Sequence, residues 1–148
     1  MNSLAYLLCL RQTTMQPALC LAMSSDDSVL ASGHTSSHIH VWDTRDHDLQ
    51  TKLTLKLPAD SCFVYALAFH PKSSYMLASG SGDGFVRMWD TRSPSAPLWT
   101  LKHGTGKVLG IDWTPTDQII SVGADKQLRI FDARARSQSS KETPPVGK

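Results

Sequence analysis

The chain has 148 residues, a formal net charge of +2 at pH 7 and 41% hydrophobic residues, which is ordinary for a soluble globular protein and excludes a highly basic nucleic-acid-binding tail. The three cysteines, Cys9, Cys20 and Cys62, show no CxxC spacing, so neither a disulfide framework nor a zinc site is predicted. The apolar run from Leu4 to Leu10 follows no basic residue and is too short to span a bilayer, which predicts neither a signal peptide nor a membrane anchor.

Alternating apolar residues predict strands from the first residues onward. Leu4 to Leu10 favours a strand, so residues 1–17 are interpreted as a strand of a preceding unit or an N-terminal extension. Short apolar runs between Ser, Asp and Gly turn signals then predict a first complete unit over 18–57, with strands at 18–24, 29–33, 38–43 and 49–57.

Two further units follow along the chain. The unit 64–102 has predicted strands beginning at Val64, Tyr75 and Phe85 and an outer strand over 97–102; Pro71 ends the first of these because proline cannot donate to the ladder. The unit 108–136 has predicted strands at 108–115, 118–123 and 127–132. Residues 137–148 are rich in Ser, Pro and Lys without apolar periodicity, which predicts a disordered tail.

One segment occurs three times in register. It reads LASGHTSSHIHVWDTR from Leu30, MLASGSGDGFVRMWDTR from Met76 and ISVGADKQLRIFDAR from Ile120, each an apolar run, a polar turn and an alternating strand. Trp42, Trp89 and Phe131 share a column and lie 47 and then 42 residues apart. Repeats of this period that end in Trp-Asp are typical of β-propeller blades, and on these residues the chain resembles the WD-repeat (WD40) family.

The resemblance implies an all-β fold of about three four-stranded blades, 18–57, 64–102 and 108–136, and therefore a partial β-propeller. Complete propellers close a ring of about 4 to 8 blades. Three blades leave open faces at both ends, so we expect either the terminal part of a longer propeller or a chain whose open ends need a partner.

WD-repeat blades contain a hydrogen-bonded network of Ser, His, Asp and Trp, because buried hydroxyl, carboxylate and indole groups need partners. The resemblance implies that the following residues form it: Ser32, Trp42, Asp43, Ser79, Asp83, Trp89, Asp90, His103, Ser121, Asp125, Phe131 and Asp132. No copy has the full set, since Ser36 stands in the Asp column of the first, no His precedes Val64 in the second, and Phe131 replaces Trp in the third. Apolar packing is therefore expected to stabilise the blades more than this network does.

A closer resemblance rests on the same blades. The series SGHTSSHIHVWDTR, LASGSGDGFVRMWDTRSPSAPLWTL and KVLGIDWTPTDQIISVGADKQLRIF is similar to the C-terminal blades of the WD-repeat subunit of the pescadillo (PeBoW) complex, over about residues 18–134. That implies a non-catalytic scaffold in ribosome biogenesis, which supports large (60S) subunit assembly and pre-rRNA processing through protein–protein contacts in the nucleus, both nucleolus and nucleoplasm. The implied partners are pescadillo-complex subunits and the pre-60S particle, with rRNA contacted indirectly. No membrane, cofactor or small-molecule substrate is implied, and nothing in the sequence corresponds to that family's ubiquitin-like domain.

The sequence predicts no catalytic, cofactor-binding or metal-binding residues, and hence no enzyme. A Ser-His-Asp hydrolase is disfavoured because these residues recur once per repeat, whereas a nucleophile is needed only once. The glycine-rich turn at 80–84 leads into a strand rather than the helix N-terminus that would hold a dinucleotide. His38 and His40 point the same way on one strand, but two ligands without a third are weak evidence for a metal, and an exposed strand face is the favoured interpretation.

Arg45, Arg92 and Arg134 each stand two residues after the Asp that ends a repeat, and they are the candidate partner-contact residues. In some WD-repeat proteins such Trp-Asp-x-Arg motifs dock to a cullin ubiquitin-ligase adaptor, so a substrate receptor of that ligase class is the alternative function. An ion pair within the blade, or a hydrogen bond to the backbone, is the favoured role of each Arg because the residue recurs so regularly.

The remaining contact surface is expected at the loops, because loops on a rigid ring are free to vary. The loops in question are Ser24–Asp27, Pro71–Ser74 and Pro115–Asp117. A basic cluster in the last unit, consisting of Lys126, Arg129, Arg134 and Arg136, could bind rRNA phosphates, but a solvated face is favoured on charge alone.

Overall fold

The computed structural model describes residues 16–45, 51–58, 60, 62–93 and 95–134, and for residues 51 and 52 it describes the backbone alone. The predicted strand from Leu4 to Leu10 and the predicted tail at 137–148 lie outside the described residues, as do Cys9, His47 and Arg136. The described ranges contain eleven strands and no helix long and apolar enough to cross a membrane.

The strands form three separate antiparallel sheets. Sheet 1 pairs β1 (Ala18–Met23), β2 (Val29–His34), β3 (His38–Asp43) and β4 (Thr51–Lys56) in chain order. Sheet 2 pairs β5 (Val64–His70), β6 (Ser73–Ser81), β7 (Phe85–Asp90) and β8 (Trp99–Lys102) in chain order. Sheet 3 has three strands within the described residues, β9 (Val108–Trp113), β10 (Gln118–Gly123) and β11 (Leu128–Asp132). The predicted all-β fold is confirmed.

Two strand boundaries in sheet 2 differ from the prediction. Strand β6 begins at Ser73, which pairs with His70, so the predicted loop Pro71–Ser74 is reduced to a two-residue turn. Strand β8 begins at Trp99 rather than Pro97. Proline has no backbone N–H to donate, and the first backbone hydrogen bond of this segment to β7 comes instead from the Leu98 N–H to the Met88 carbonyl, at 2.7 Å.

The second and third strands of every sheet form the same hairpin. Leu30 pairs with Trp42, Leu77 with Trp89 and Ile119 with Phe131, so the aromatic column of the repeat has one register throughout. Each hairpin turn has a residue with positive φ at the same position: Ser37 at 63°, Gly84 at 80° and Lys126 at 64°. Only Gly84 has no side chain to accommodate, and a Cβ there would lie 2.4 Å from the Gly104 carbonyl oxygen.

Large residues of the first strands of sheets 2 and 3 pack against the preceding sheet. Leu67 and Phe69 of β5 belong to the core between sheets 1 and 2, and Trp113 of β9 belongs to the core between sheets 2 and 3. The closest approaches are at two glycines: a Cβ on Gly33 would lie 2.6 Å from Val64 Cγ1, and a Cβ on Gly80 would lie 2.6 Å from Val108 Cγ1. Glycine in these strands therefore allows neighbouring sheets to approach closely.

We expect Gly80→Ala to lower the free energy of unfolding by about 1–2 kcal/mol, because the new methyl group would overlap the stiff Val108 side chain. The better strand propensity of alanine recovers only part of this cost. Urea denaturation measures the change. The matched variant Gly80→Ala with Val108→Ala removes the overlapping methyl groups and should lose less stability than the two single changes added together. Strict additivity would contradict the packing described for this interface.

Candidate protein-interaction surface

A buried serine binds the indole of the repeat tryptophan in the first two sheets. Trp42 Nε1 donates to Ser32 Oγ at 3.1 Å, and Trp89 Nε1 donates to Ser79 Oγ at 2.8 Å. Both serines are fully buried. These bonds join β3 to β2 and β7 to β6 through side chains as well as backbone, which fixes the large aromatic rings in the sheet interfaces.

Sheet 3 uses a histidine where the indole is absent. His103 Nδ1 lies 2.6 Å from Ser121 Oγ, and His103 Nε2 lies 3.3 Å from Asp125 Oδ1. Arg129 Nη1 donates to Asp125 Oδ2 at 2.7 Å. Burial lowers the pKa of His103, with the Arg129 charge acting in the same direction and Asp125 against it. The structure thus brings His103, Ser121 and Asp125 together, with Phe131 in the position of the tryptophan.

Sheet 2 pairs its turn aspartate with a buried arginine, as sheet 3 pairs Asp125 with Arg129, and the sequence analysis did not single out this arginine. Arg87 is only 4% exposed; its Nη1 donates to Ser81 Oγ at 2.6 Å, and its Nη2 pairs with Asp83 Oδ2. Ser81 Oγ also donates to Asp83 Oδ1 at 2.6 Å. Asp83 therefore belongs to a group with Arg87 and Ser81, separate from the Ser79–Trp89 pair. The sequence contains one signal for the burial of Arg87: the alternation of strand β7 places it on the same face as Trp89.

In sheet 1 the histidine that contacts the repeat serine lies within strand β2. His34 Nε2 lies 3.0 Å from Ser32 Oγ, and His34 is fully buried. The prediction that His38 and His40 lie on an exposed strand face is wrong for His40, which is 6% exposed and bonds Thr54 Oγ1 through Nδ1 at 3.0 Å. Burial, together with the nearby His34 and His38, lowers the pKa of His40. Among the described residues there is no group of three or more side chains suited to a metal ion.

The three Asp-x-Arg segments lie at one end of the sheets, beside the turn from the first to the second strand; we term this the loop end. In each, the aspartate Oδ1 accepts the arginine backbone N–H, at 3.0 Å for Asp43 and Arg45, 2.9 Å for Asp90 and Arg92, and 2.8 Å for Asp132 and Arg134. The first two guanidinium groups also fold back onto their own aspartates in bidentate ion pairs.

Arg134 differs, because its guanidinium pairs with Asp117 in the turn between β9 and β10. His70 Nε2 and Lys72 Nζ of sheet 2 approach the other oxygen of the Asp117 carboxylate, at 3.2 and 3.6 Å. The hydrogen bond from Arg134 is the main reason that the pKa of Asp117 lies below its usual range. Asp117 therefore links sheets 2 and 3 at the loop end.

An open cleft of about 560 Å³ lies between sheets 1 and 2 at the loop end. Val29, Val41 and Leu53 form its apolar part; its polar lining is Asp26, Ser28, Arg45, Ser74, Tyr75, Thr91 and Arg92. The Arg92 guanidinium carbon lies 3.7 Å from the centre of the Tyr75 ring. Hydrogen bonds donated by Ser24 and Ser28 lower the pKa of Asp26 to about 2. An apolar floor with charged groups held in place at its rim suits an extended peptide segment.

Three antiparallel sheets with an in-register aromatic hairpin, a buried Ser–Trp bond and close sheet-to-sheet packing define blades of a WD-repeat propeller. The family model for "WD domain, G-beta repeat" matches residues 9–43, 51–90 and 95–132, so the chain belongs to this family. The predicted WD-repeat fold, a partial propeller, is confirmed.

The chain is also similar to proteins named for ribosome biogenesis. It is 36% identical to "Ribosome biogenesis protein WDR12 homolog" of Ixodes scapularis over 103 residues, which are 70% of this chain and 24% of that protein. It is 38% identical to "Ribosome biogenesis protein YTM1" of Meyerozyma guilliermondii, covering 70% of this chain and 22% of that protein, and 34% identical to YTM1 of Saccharomyces cerevisiae, covering 80% and 27%. The chain spans about a quarter of the length of these curated relatives. Nothing in these names supports the ubiquitin-ligase alternative.

Solved WD-repeat structures have the same fold. The structure titled "Structure of U3-55K" matches with a TM-score of 0.72 and 28% identity, covering 83% of this chain and 36% of that one. "Crystal structure of RRP9 WD40 repeats" matches with a TM-score of 0.73 at 28% identity and the same coverage.

We expect Ser79→Ala to cost about 1–3 kcal/mol of unfolding free energy, because the indole N–H of Trp89 would be left buried without an acceptor. Chemical denaturation gives the change. Ser93→Ala, at an exposed loop position, is the matched control and should have little effect. Equal effects of the two variants would contradict a structural role for the Ser79–Trp89 bond.

Asp83→Asn should lower stability by about 3 kcal/mol at pH 7, because Arg87 would be buried without its carboxylate. Burial raises the pKa of Asp83, but hydrogen bonds from Arg87 and Ser81 outweigh it and lower the pKa. Because the pKa of Asp83 is lower in the folded chain than in the unfolded chain, the ionised carboxylate stabilises the fold at pH values above the unfolded pKa of about 4. That stabilisation is lost as the pH falls through the folded pKa.

Thermal melts from pH 7 to pH 2 test this expectation. The difference between the original chain and Asp83→Asn should shrink below about pH 4. Asp60→Asn is the control, since the Asp60 side chain is 85% exposed, and its curve should follow that of the original chain. A difference for Asp83→Asn that stays constant down to pH 2 would contradict the ion-pair assignment.

Proposed function

We propose that the chain is a non-catalytic WD-repeat scaffold in ribosome biogenesis that supports large (60S) subunit assembly and pre-rRNA processing. The observation that carries the proposal is the similarity, at 34–38% identity over 70–80% of the chain, to proteins named WDR12 homolog or YTM1. Its partners are subunits of the pescadillo complex and, through them, the pre-60S particle, with rRNA contacted indirectly. Its place of action is the nucleus, in the nucleolus and nucleoplasm.

The burial of the repeat serines supports a non-catalytic role. Ser32, Ser79 and Ser121 are fully buried, and each is already hydrogen-bonded to a tryptophan or a histidine. A nucleophilic serine needs its hydroxyl within reach of a substrate as well as of a base. These hydroxyl groups join strands, which is why their recurrence in every repeat indicates architecture and not chemistry.

The loop end is the contact surface in this proposal. The side chains of Arg45, Arg92 and Arg134 are 71%, 63% and 76% exposed, yet each guanidinium is held by an aspartate. Arg92 also stacks on Tyr75 beside the cleft. Side chains that are already ordered lose less conformational entropy when a partner binds, and Arg and Tyr are the residue types enriched among binding hot spots.

The test is affinity purification of the tagged chain from cells, with recovery of pescadillo-complex subunits and large-subunit pre-rRNA as the readouts. We expect both to be recovered, and Arg92→Ala to reduce the recovery of protein partners by about tenfold, as for a binding hot spot. Lys102→Ala is the matched control, because Lys102 is an exposed cation of the same sheet and lies outside the loop-end cleft.

A folded chain that recovers neither the subunits nor the pre-rRNA would overturn the proposed function. Recovery that Arg92→Ala and Lys102→Ala reduce equally would instead overturn the assignment of the loop end as the contact surface, while leaving the function intact.

A further inference from the structure

The end of the sheets opposite the loop end carries the turns between the second and third strands, and we term it the turn end. In sheets 2 and 3 these two turns lie on either side of the loop 104–107, which leads into β9. The Gly104 N–H donates to the Gly84 carbonyl at 3.3 Å, and the Ala124 N–H donates to the Lys107 carbonyl at 2.8 Å. The turn end is therefore one continuous surface across sheets 2 and 3.

Two aromatic rings of sheet 2 lie side by side at the turn end. Phe63 stands directly before β5 and Tyr65 lies within it, and their ring centres are 6.0 Å apart. The Gly82 N–H donates to the Phe63 carbonyl at 2.9 Å, which holds this residue beside the hairpin turn. Phe63 is nevertheless 41% exposed, and Tyr65 is half-buried. Sheet 2 is packed between sheets 1 and 3, so neither ring belongs to an outer face of those two sheets.

Positive charge lies beside the two rings. The Lys107 ammonium is 5.3 Å from the centre of the Tyr65 ring. Lys126 is exposed in the hairpin turn to which the Lys107 carbonyl is bonded. The carboxylates that the described residues place at the turn end are each paired with another cation: Asp60 with Lys56, Asp83 with Arg87 and Asp125 with Arg129. The charges of Lys107 and Lys126 are therefore not compensated there, which favours a negatively charged partner.

An exposed aromatic ring beside an unpaired ammonium group matches the two parts of a nucleotide. The flat base stacks on the ring, and the phosphate pairs with the lysine. An acidic peptide would pair with the lysines but would leave the exposed rings uncovered. On charge alone a solvated face was favoured for Lys126, and the adjacent rings are what the structure adds.

We propose that the turn end binds single-stranded RNA, with a base stacked on Phe63 and Tyr65 and neighbouring phosphates paired with Lys107 and Lys126. The contact does not depend on sequence, because stacking and phosphate pairing do not read the edges of the bases. The choice of RNA over DNA rests on the proposed function, to which the inference adds a direct contact with RNA. The site lies at the opposite end of the sheets from the loop-end cleft, so it leaves that cleft free.

Fluorescence anisotropy with a labelled oligouridine of eight nucleotides tests the binding to the purified 148-residue chain. We expect saturable binding with a Kd of about 1–100 µM at physiological salt. The logarithm of the association constant should fall linearly with the logarithm of the salt concentration, with a slope of about −1.4 for two paired phosphates. A chain that shows no saturable binding would overturn the proposal.

The stacking contact is tested by removing the exposed ring. Phe63→Ala should weaken RNA binding about tenfold or more and leave the salt slope unchanged, whereas Phe63→Tyr keeps a ring and should bind as the original chain does. Leu98→Ala is the matched control, since Leu98 is an exposed apolar residue beside β8. Circular dichroism checks that each variant is folded. Equal losses from Phe63→Ala and Leu98→Ala would contradict stacking at this site.

The phosphate contact is tested by the salt slope. Lys107→Ala should weaken binding and make the slope shallower by about 0.7, because one phosphate contact is lost. Lys102→Ala is the matched control, since Lys102 is an exposed lysine on β8, at the opposite edge of sheet 2 from β5, and should leave the slope unchanged. If the two variants change the slope equally, the assignment of Lys107 is wrong.

A labelled octaglutamate peptide distinguishes RNA from an acidic protein segment. The proposal predicts that the peptide binds at least about tenfold more weakly than oligouridine, because it offers no base to the rings. Peptide binding as tight as RNA binding, and weakened likewise by Phe63→Ala, would assign the turn end to a protein partner and overturn the RNA site. Loss of the RNA site on these measurements, with pescadillo-complex subunits still recovered from cells, would leave the proposed function intact.

Discussion

The fold depends on close packing between neighbouring sheets. Val64 against Gly33 and Val108 against Gly80 bring the sheets so near that a single methyl group on either glycine would overlap its neighbour. Hydrogen bonds within each sheet are satisfied in the ordinary antiparallel pattern and do not decide how the sheets stack. The apolar cores between the sheets, built around Leu67, Phe69 and Trp113, make the three sheets one body, and the loop end is positioned by that stacking.

The buried serine of the repeat needs a hydrogen-bond partner, and each of the three sheets supplies a different one. The serine column is constant, but its partners are Trp42 with His34 in sheet 1, Trp89 in sheet 2 and His103 in sheet 3. A buried hydroxyl needs a partner, and the neighbouring position that can supply one differs between the sheets. The networks therefore vary in composition while the apolar columns keep their register, which agrees with packing as the main source of stability.

The sequence predicted the strands and hairpins well because period-2 alternation and turn residues are local signals. The resemblance to WD-repeat blades placed Ser79 and Trp89 in one network, and in the structure Trp89 Nε1 donates to Ser79 Oγ. The sequence did not reveal Arg87 as the partner of Asp83, since a charged residue on a strand is ordinarily solvated and its burial depends on the adjacent sheet. It also missed the contact between Arg134 and Asp117, because the two residues meet only when the turn after β9 and the end of β11 lie side by side.

Differential scanning calorimetry tests most directly whether packing between sheets, rather than bonding within each sheet, stabilises the fold. The account predicts one cooperative transition in which all three sheets are lost together, because no sheet can bury its faces alone. Separate transitions, with sheet 1 or sheet 3 melting while sheet 2 stays folded, would contradict it.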